Sequence, residues 1–152
     1  MIQGEDGIDF INIYSKGKTK IGRELSNFSL YRIPTIYGVF YSIEGLIFYM
    51  GSHDEKLKTL YGFEAKKYGE SVDKGFRLNE DKFKTIIVDA MNFKWKSLNY
   101  KMKKELSEGK YKDLPLVHFY EYGGKRIAVP KWDWQIKEWE KIRNNDKNKS
   151  HE

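Results

Sequence analysis

Apolar and polar positions trade places with period two at Phe10-Ile11-Asn12-Ile13-Tyr14, which predicts a strand. Ser15–Glu24 is basic and holds Gly17 and Gly22, so it reads as a loop. Leu30 to Ile33 suits a short edge strand stopped by Pro34, and Tyr37-Gly38-Val39-Phe40-Tyr41 suits another extended piece. Ser42 is an N-cap type of residue and introduces the apolar run from Ile43 to Met50, a predicted helix. A second helix is predicted from His53-Asp54 to Tyr68: Asp54 caps it, Leu57, Leu60, Tyr61, Ala65 and Tyr68 fall near helical spacing, and Gly69 stops it. Ser71 to Arg77 is a loop. The longest helical pattern runs from Asn79 to about Leu106, with Phe83, Ile87, Met91, Trp95, Leu98, Met102 and Leu106 at steps of three or four.

The clearest local signal lies further on. Leu116 to Tyr122 and Lys125 to Val129 are aromatic and β-branched runs on either side of Gly123-Gly124. Two glycines supply the positive φ of a primed turn, so this is a hairpin. Pro130 closes it, and Trp132, Trp134, Ile136 and Trp139 lead a last helix to about Arg143. Together these elements predict one α+β domain over residues 1–143, dominated by helices with a few short antiparallel strands. A polar tail, 144–152, follows.

Composition narrows the chemistry. Of 152 residues 39% are hydrophobic and 16% aromatic, so Phe, Tyr and Trp carry much of the core. Flat rings also suit heterocycle or nucleotide ligands, and an aromatic core with no ligand explains them equally. Cysteine is absent, which excludes disulfides, thiolate zinc sites and cysteine nucleophiles. The first residues lack the features of a signal peptide, and no apolar run approaches a membrane span. The expectation is a cytoplasmic protein with no membrane partner. The net charge of +6 and pI near 9.2 favour anionic partners. Lys94, Lys96, Lys101, Lys103 and Lys104 cluster late in the long helix, where cations also complement the helix dipole. No P-loop or dinucleotide glycine pattern is present. His53, His118 and His151 show no metal-ligand spacing, and no residue is assigned to a metal or cofactor.

Several pieces in order carry a resemblance. They are Ser26-Asn27-Phe28; Ser42-Ile43-Glu44-Gly45; Leu60-Tyr61-Gly62-Phe63-Glu64-Ala65-Lys66-Lys67-Tyr68-Gly69; Ala90-Met91-Asn92-Phe93-Lys94; and the hairpin Leu116 to Lys125. The chain resembles the NADAR-domain (YbiA-like) family, in its shorter branch, often carried by bacteriophages. The likeness spans about Ile11 to Arg143. Two positions depart from the better-described branch: Gly45 stands where that branch has His, and Phe48 where it has Gln. Trp132-Asp133-Trp134 replaces its Trp-Gly segment.

The resemblance implies hydrolysis of a bond between a ribose anomeric carbon and nitrogen, in NAD and ADP-ribose metabolism. The implied substrate is an ADP-ribose or NAD-type nucleotide or a ribose phosphate, including ADP-ribose attached to guanine in DNA or RNA. The working cell compartment would be the cytosol of a bacterium or an infected host. Such a bond breaks through a cationic sugar ring, which a carboxylate stabilises. Glu44 is the candidate; as a first-turn helix acid it also has a plain structural explanation. Ser26 and Asn27 offer neutral hydrogen-bonding groups, or form a simple turn. Lys66, Arg77 and Lys94 are candidate phosphate partners or solvated surface. Lys94 stands out because it shares the apolar face of its helix and must reach an anion or snorkel to water. His118 is a ligand contact, a proton donor or a structural histidine. Two other functions fit the same residues: a binder that sequesters an NAD-derived nucleotide without cleaving it, and a basic nucleic-acid-binding protein.

Overall fold

Ser42 does more than begin a helix. Its Oγ accepts the Gly45 N–H at 2.9 Å and donates to the Leu60 carbonyl at 2.8 Å, so one hydroxyl caps α2 (Ile43–Ser52) and fixes the chain that returns beside it. The structure is a computed structural model describing residues 2–149. It divides into two compact units: the chain up to Ser26 together with the chain from Leu98 onward, and Asn27–Ser97.

The Asn27–Ser97 unit contains the hairpin of β2 (Ile33–Thr35) and β3 (Gly38–Phe40), then α2. A 3-10 helix (Glu55–Thr59), α3 (Gly62–Val72) and α4 (Glu80–Ser97) follow. α2 packs on the 3-10 helix, on α3 and on α4, and α4 also packs on β2. Ile33, Phe40, Ile43, Leu46, Leu57, Ala65, Ile87, Ala90 and Met91 form a dry interior. Pro34 sits inside β2 rather than ending it, opposite Val39; the strand is an edge, where a missing N–H is tolerated.

One long helix was expected over 54–68, and two shorter ones replace it. Asp54 does cap, with its Oδ1 accepting the Lys56 N–H. The helix stops because Leu60 and Gly62 have partners outside it. The Leu60 carbonyl takes the Ser42 hydroxyl, and Gly62, at φ 66, donates its N–H to the Phe28 carbonyl at 2.8 Å.

The other unit contains β1 (Ile11–Asn12), α1 (Lys20–Leu25), α5 (Tyr100–Ser107), β4 (Leu116–Val117), β5 (Phe119–Tyr122), β6 (Lys125–Ala128), a 3-10 turn (Pro130–Trp132) and α6 (Asp133–Lys149). β5 and β6 form the expected hairpin, with Gly123 and Gly124 at φ 57 and 74. β1 pairs with β4 in parallel, Ile11 opposite Leu116, where antiparallel strands alone were expected. The buried Asn12 side chain locks that register: Nδ2 donates to the Phe119 carbonyl and Oδ1 accepts the Phe119 N–H, both at 3.0 Å.

Three further elements differ from expectation. The Ser15–Glu24 loop contains α1, capped by Thr19, whose Oγ1 accepts from Gly22; Ile21 and Leu25 bury its inner face. The helix expected over 79–106 is two, because Asn99 turns extended and caps α5, accepting the Lys101 N–H at 2.8 Å. The polar stretch after Arg143 stays helical to Lys149. Arg143 is buried and donates to the Leu114 carbonyl at 2.6 Å, and Lys147 pairs with Asp113 at 3.7 Å. The rest of the expected tail, including His151, lies outside the described residues. Among the described residues no helix is long and apolar enough to cross a membrane.

Candidate functional site

Asn27 and Glu44, far apart in sequence, meet through the backbone. The Glu44 N–H, one of the donors a helix start leaves without an intrahelical partner, donates to the Asn27 carbonyl at 2.9 Å. The next carbonyl, of Phe28, takes the Gly62 N–H at the start of α3. One short loop therefore holds the N-terminal ends of two helices. Glu44 is half-buried in the first turn of α2, and Asn27 is half-buried on the loop.

The loop continues into an aromatic surround. Tyr31 donates its N–H to the Tyr41 carbonyl at 3.1 Å, and Tyr41 donates to the Lys58 carbonyl at 2.9 Å. The Arg32 guanidinium lies 5.5 Å from the centre of the Tyr41 ring. Tyr61 and Phe63 flank Gly62 and are 49% and 67% exposed. Tyr31 and Arg32 are absent from the candidates the sequence offers, and Tyr61 and Phe63 enter there only as pattern positions. The signal for Tyr31 lies in the aromatic density between Ser29 and Tyr41, and only the fold joins the loop that leads into it to the Glu44 backbone, at Asn27.

Lys94 is wholly buried on α4, the helix packed against α2. Of the two outcomes its position allowed, snorkelling to water is ruled out. Its Nζ lies 5.2 Å from the centre of the Tyr31 ring, within cation–π reach. Burying an ammonium costs several kcal/mol before its interactions offset it. The side chain therefore ends in a dry place beside the Tyr31 ring.

Gly45 and Phe48 are set by packing. A Cβ on Gly45 would stand 2.5 Å from the Leu57 carbonyl oxygen. A Cβ on Gly69 would overlap the Phe48 ring. The bare Gly45 lets the 3-10 helix close on α2, and Phe48 fills the space α3 leaves by carrying Gly69. Position 45 leaves no room for a side chain.

Of the remaining candidates, Ser26 directly precedes Asn27 in the chain. Ser26 is buried and ends α1, donating its N–H to the Arg23 carbonyl at 3.3 Å. Lys66 is exposed on α3, next to the buried Ala65. Arg77 is exposed; it donates from Nη1 to the Phe76 carbonyl at 2.8 Å and sits 4.0 Å from Asp73. Its loop is anchored by the Lys74 and Phe76 N–H groups on the Gly51 carbonyl, at the opposite end of α2 from Glu44. That is roughly 10 Å along the helix axis. Arg77 is thus placed apart from Glu44.

His118 belongs to the other unit, between β4 and β5. Its Nδ1 donates to the Ile13 carbonyl at 2.7 Å, which fixes the tautomer because a carbonyl only accepts. Burial pushes its pKa below the ordinary 6.5, against the smaller upward pulls of that hydrogen bond and of Asp133. It is a packed, neutral histidine. Among the described residues no group of three or more His, Asp or Glu side chains is placed to hold a metal ion. No protein-family model, no curated protein and no solved structure matches the chain.

Proposed function

We propose that this protein hydrolyses an N-ribosyl bond on an ADP-ribose-like or ribose-phosphate substrate, with Glu44 as the acid–base residue. The observation that carries the reading is the Glu44 N–H bonded to the Asn27 carbonyl. It ties the Asn27 loop to the first turn of α2, where the half-buried Glu44 stands, and the neighbouring Phe28 carbonyl ties the same loop to Gly62, between the exposed Tyr61 and Phe63. The reaction class comes from the resemblance to the NADAR-domain family. In such a reaction water attacks C1′ as the bond from C1′ to nitrogen breaks, and the bonding pair leaves with the base. A carboxylate beside C1′ stabilises the cationic sugar and takes the proton of the water. The carboxylic acid so formed returns that proton to the departing nitrogen of an uncharged base, or to solvent when a pyridinium such as that of NAD leaves as the neutral ring, and the ribose keeps a 1′-hydroxyl. Asn27 would orient the ribose.

The test is turnover of ADP-ribosylated DNA, NAD and phosphorylated riboflavin-pathway intermediates by the parent and by Glu44→Gln. The expected loss is about 10²–10⁴-fold in rate, the usual contribution of a positioned acid or base, with substrate still bound. Equal turnover by the two proteins would end the assignment.

A second reading has its own observation in Gly45, where the packing leaves no room for the His of the better-described branch. It is a nucleotide binder that sequesters its ligand intact. Calorimetry that shows tight binding, with the ligand recovered unchanged, would favour it over hydrolysis.

A further inference from the structure

The register of the β5–β6 hairpin sorts its side chains into two faces. Tyr120 pairs with Ile127 and Tyr122 with Lys125, while Phe119 pairs with Ala128 and Glu121 with Arg126. Directly opposed residues share a face, and neighbours along a strand alternate. On the Phe119 face only Phe119 is buried, and Glu121, Arg126 and Ala128 are exposed. Phe119 is buried edge-on against Phe10 at 5.7 Å. Arg126 covers both rings at 5.0 and 5.5 Å and donates to the Gly4 carbonyl at 2.9 Å.

The other face holds Tyr120, Tyr122, Lys125 and Ile127. Tyr120 is 41% exposed and Tyr122 77%. An exposed ribbon surface ordinarily carries polar residues, and this one carries a partly exposed and a largely exposed phenol ring beside a lysine. No carboxylate shares the face, because Glu121 lies on the other one. The ribbon is rigidly based: Asn12 grips both backbone groups of Phe119, and the Gly123-Gly124 turn sets its tip.

We propose that this face binds single-stranded nucleic acid, with Tyr120 and Tyr122 stacking successive bases and Lys125 meeting the phosphate between them. Rings two residues apart on a strand are spaced by about 6.8 Å. That is about twice the 3.4 Å rise of a stacked duplex strand, the opening of bases along a stretched single strand. Aromatic stacking with a flanking cation is the chemistry that holds such strands without reading sequence. A duplex keeps its base faces covered, so it offers these tyrosines nothing to stack on.

The test uses the full chain and a fluorescein-labelled oligodeoxythymidylate, followed by anisotropy. The parent should bind it. Tyr120→Ala and Tyr122→Ala should each weaken binding roughly tenfold, Tyr122→Phe should retain it, and Lys125→Gln should lower the salt slope by about 0.7. The altered side chains are exposed, and circular dichroism checks that each variant is folded. Alanine variants that bind like the parent, or a duplex bound as tightly as the single strand, would overturn the proposal. So would a parent that self-associates through this face, seen as a dimer in sedimentation that Tyr122→Ala dissolves. Glu44→Gln should bind the strand like the parent, so this surface and the N-ribosyl reading stand or fall separately.

Discussion

At Gly45 the absence of a side chain decides the local structure. Alanine there would gain about 1 kcal/mol of helix propensity. Its methyl carbon would also press on the Leu57 carbonyl at 2.5 Å, and backbone cannot swing aside. Forced contacts of this kind cost about 1–3 kcal/mol, so Gly45→Ala should destabilise the protein by about 1 kcal/mol net in urea titration. From the sequence alone Gly45 was visible only as a departure from a family pattern, because its reason lies in a carbonyl twelve positions on. Glu44 is the converse case. Its place in a first helical turn was legible from Ser42, yet its bond to Asn27 was not, since backbone hydrogen bonds carry no residue signature. His118 has a consequence in pH. Its folded pKa lies below the ordinary 6.5, so the unfolded chain takes the proton first. Stability is full above about 6.5, falls as pH drops through the interval down to the folded value, and then levels. The melting temperature should therefore decline between pH 7 and 5 by circular dichroism, and His118→Gln should decline less.

Among the elements, those set by local chemistry were readable and those set by distant partners were not. The β5–β6 hairpin follows from its two glycines, α2 from its cap, and the outline of α4 from apolar spacing. The breaks were hidden. Leu57, Leu60, Ala65 and Tyr68 keep a near-helical rhythm straight through the interruption at Leu60–Tyr61, because the hydrogen bonds that cause it come from Ser42 and Phe28. Asn99 is a fairer miss, since an asparagine inside a helical pattern is a capping signal. Ser42 is the residue on which two elements depend. Ser42→Ala removes the α2 cap and leaves the Leu60 carbonyl without its hydroxyl partner, so a loss of about 1–2 kcal/mol is expected. Thermal melts of the two proteins check it, and Ser42→Thr, which keeps the hydroxyl, should recover part of the loss.

Over the whole molecule, the α+β class was legible from the mixture of periods along the chain, and its division into two units was not. Asn27–Ser97 interrupts a unit whose other parts lie before and after it in sequence, and no linker composition marks either boundary. The joining of the early and late parts rests on pairing Ile11 with Leu116, a match that apolar residues alone cannot announce. During synthesis this pairing imposes a wait. A ribosome adding about 5–20 residues per second delivers β4 on the order of ten seconds after β1. For that time the nascent strand Phe10–Ile13 has no partner, while everything needed for the Asn27–Ser97 core is made before β4.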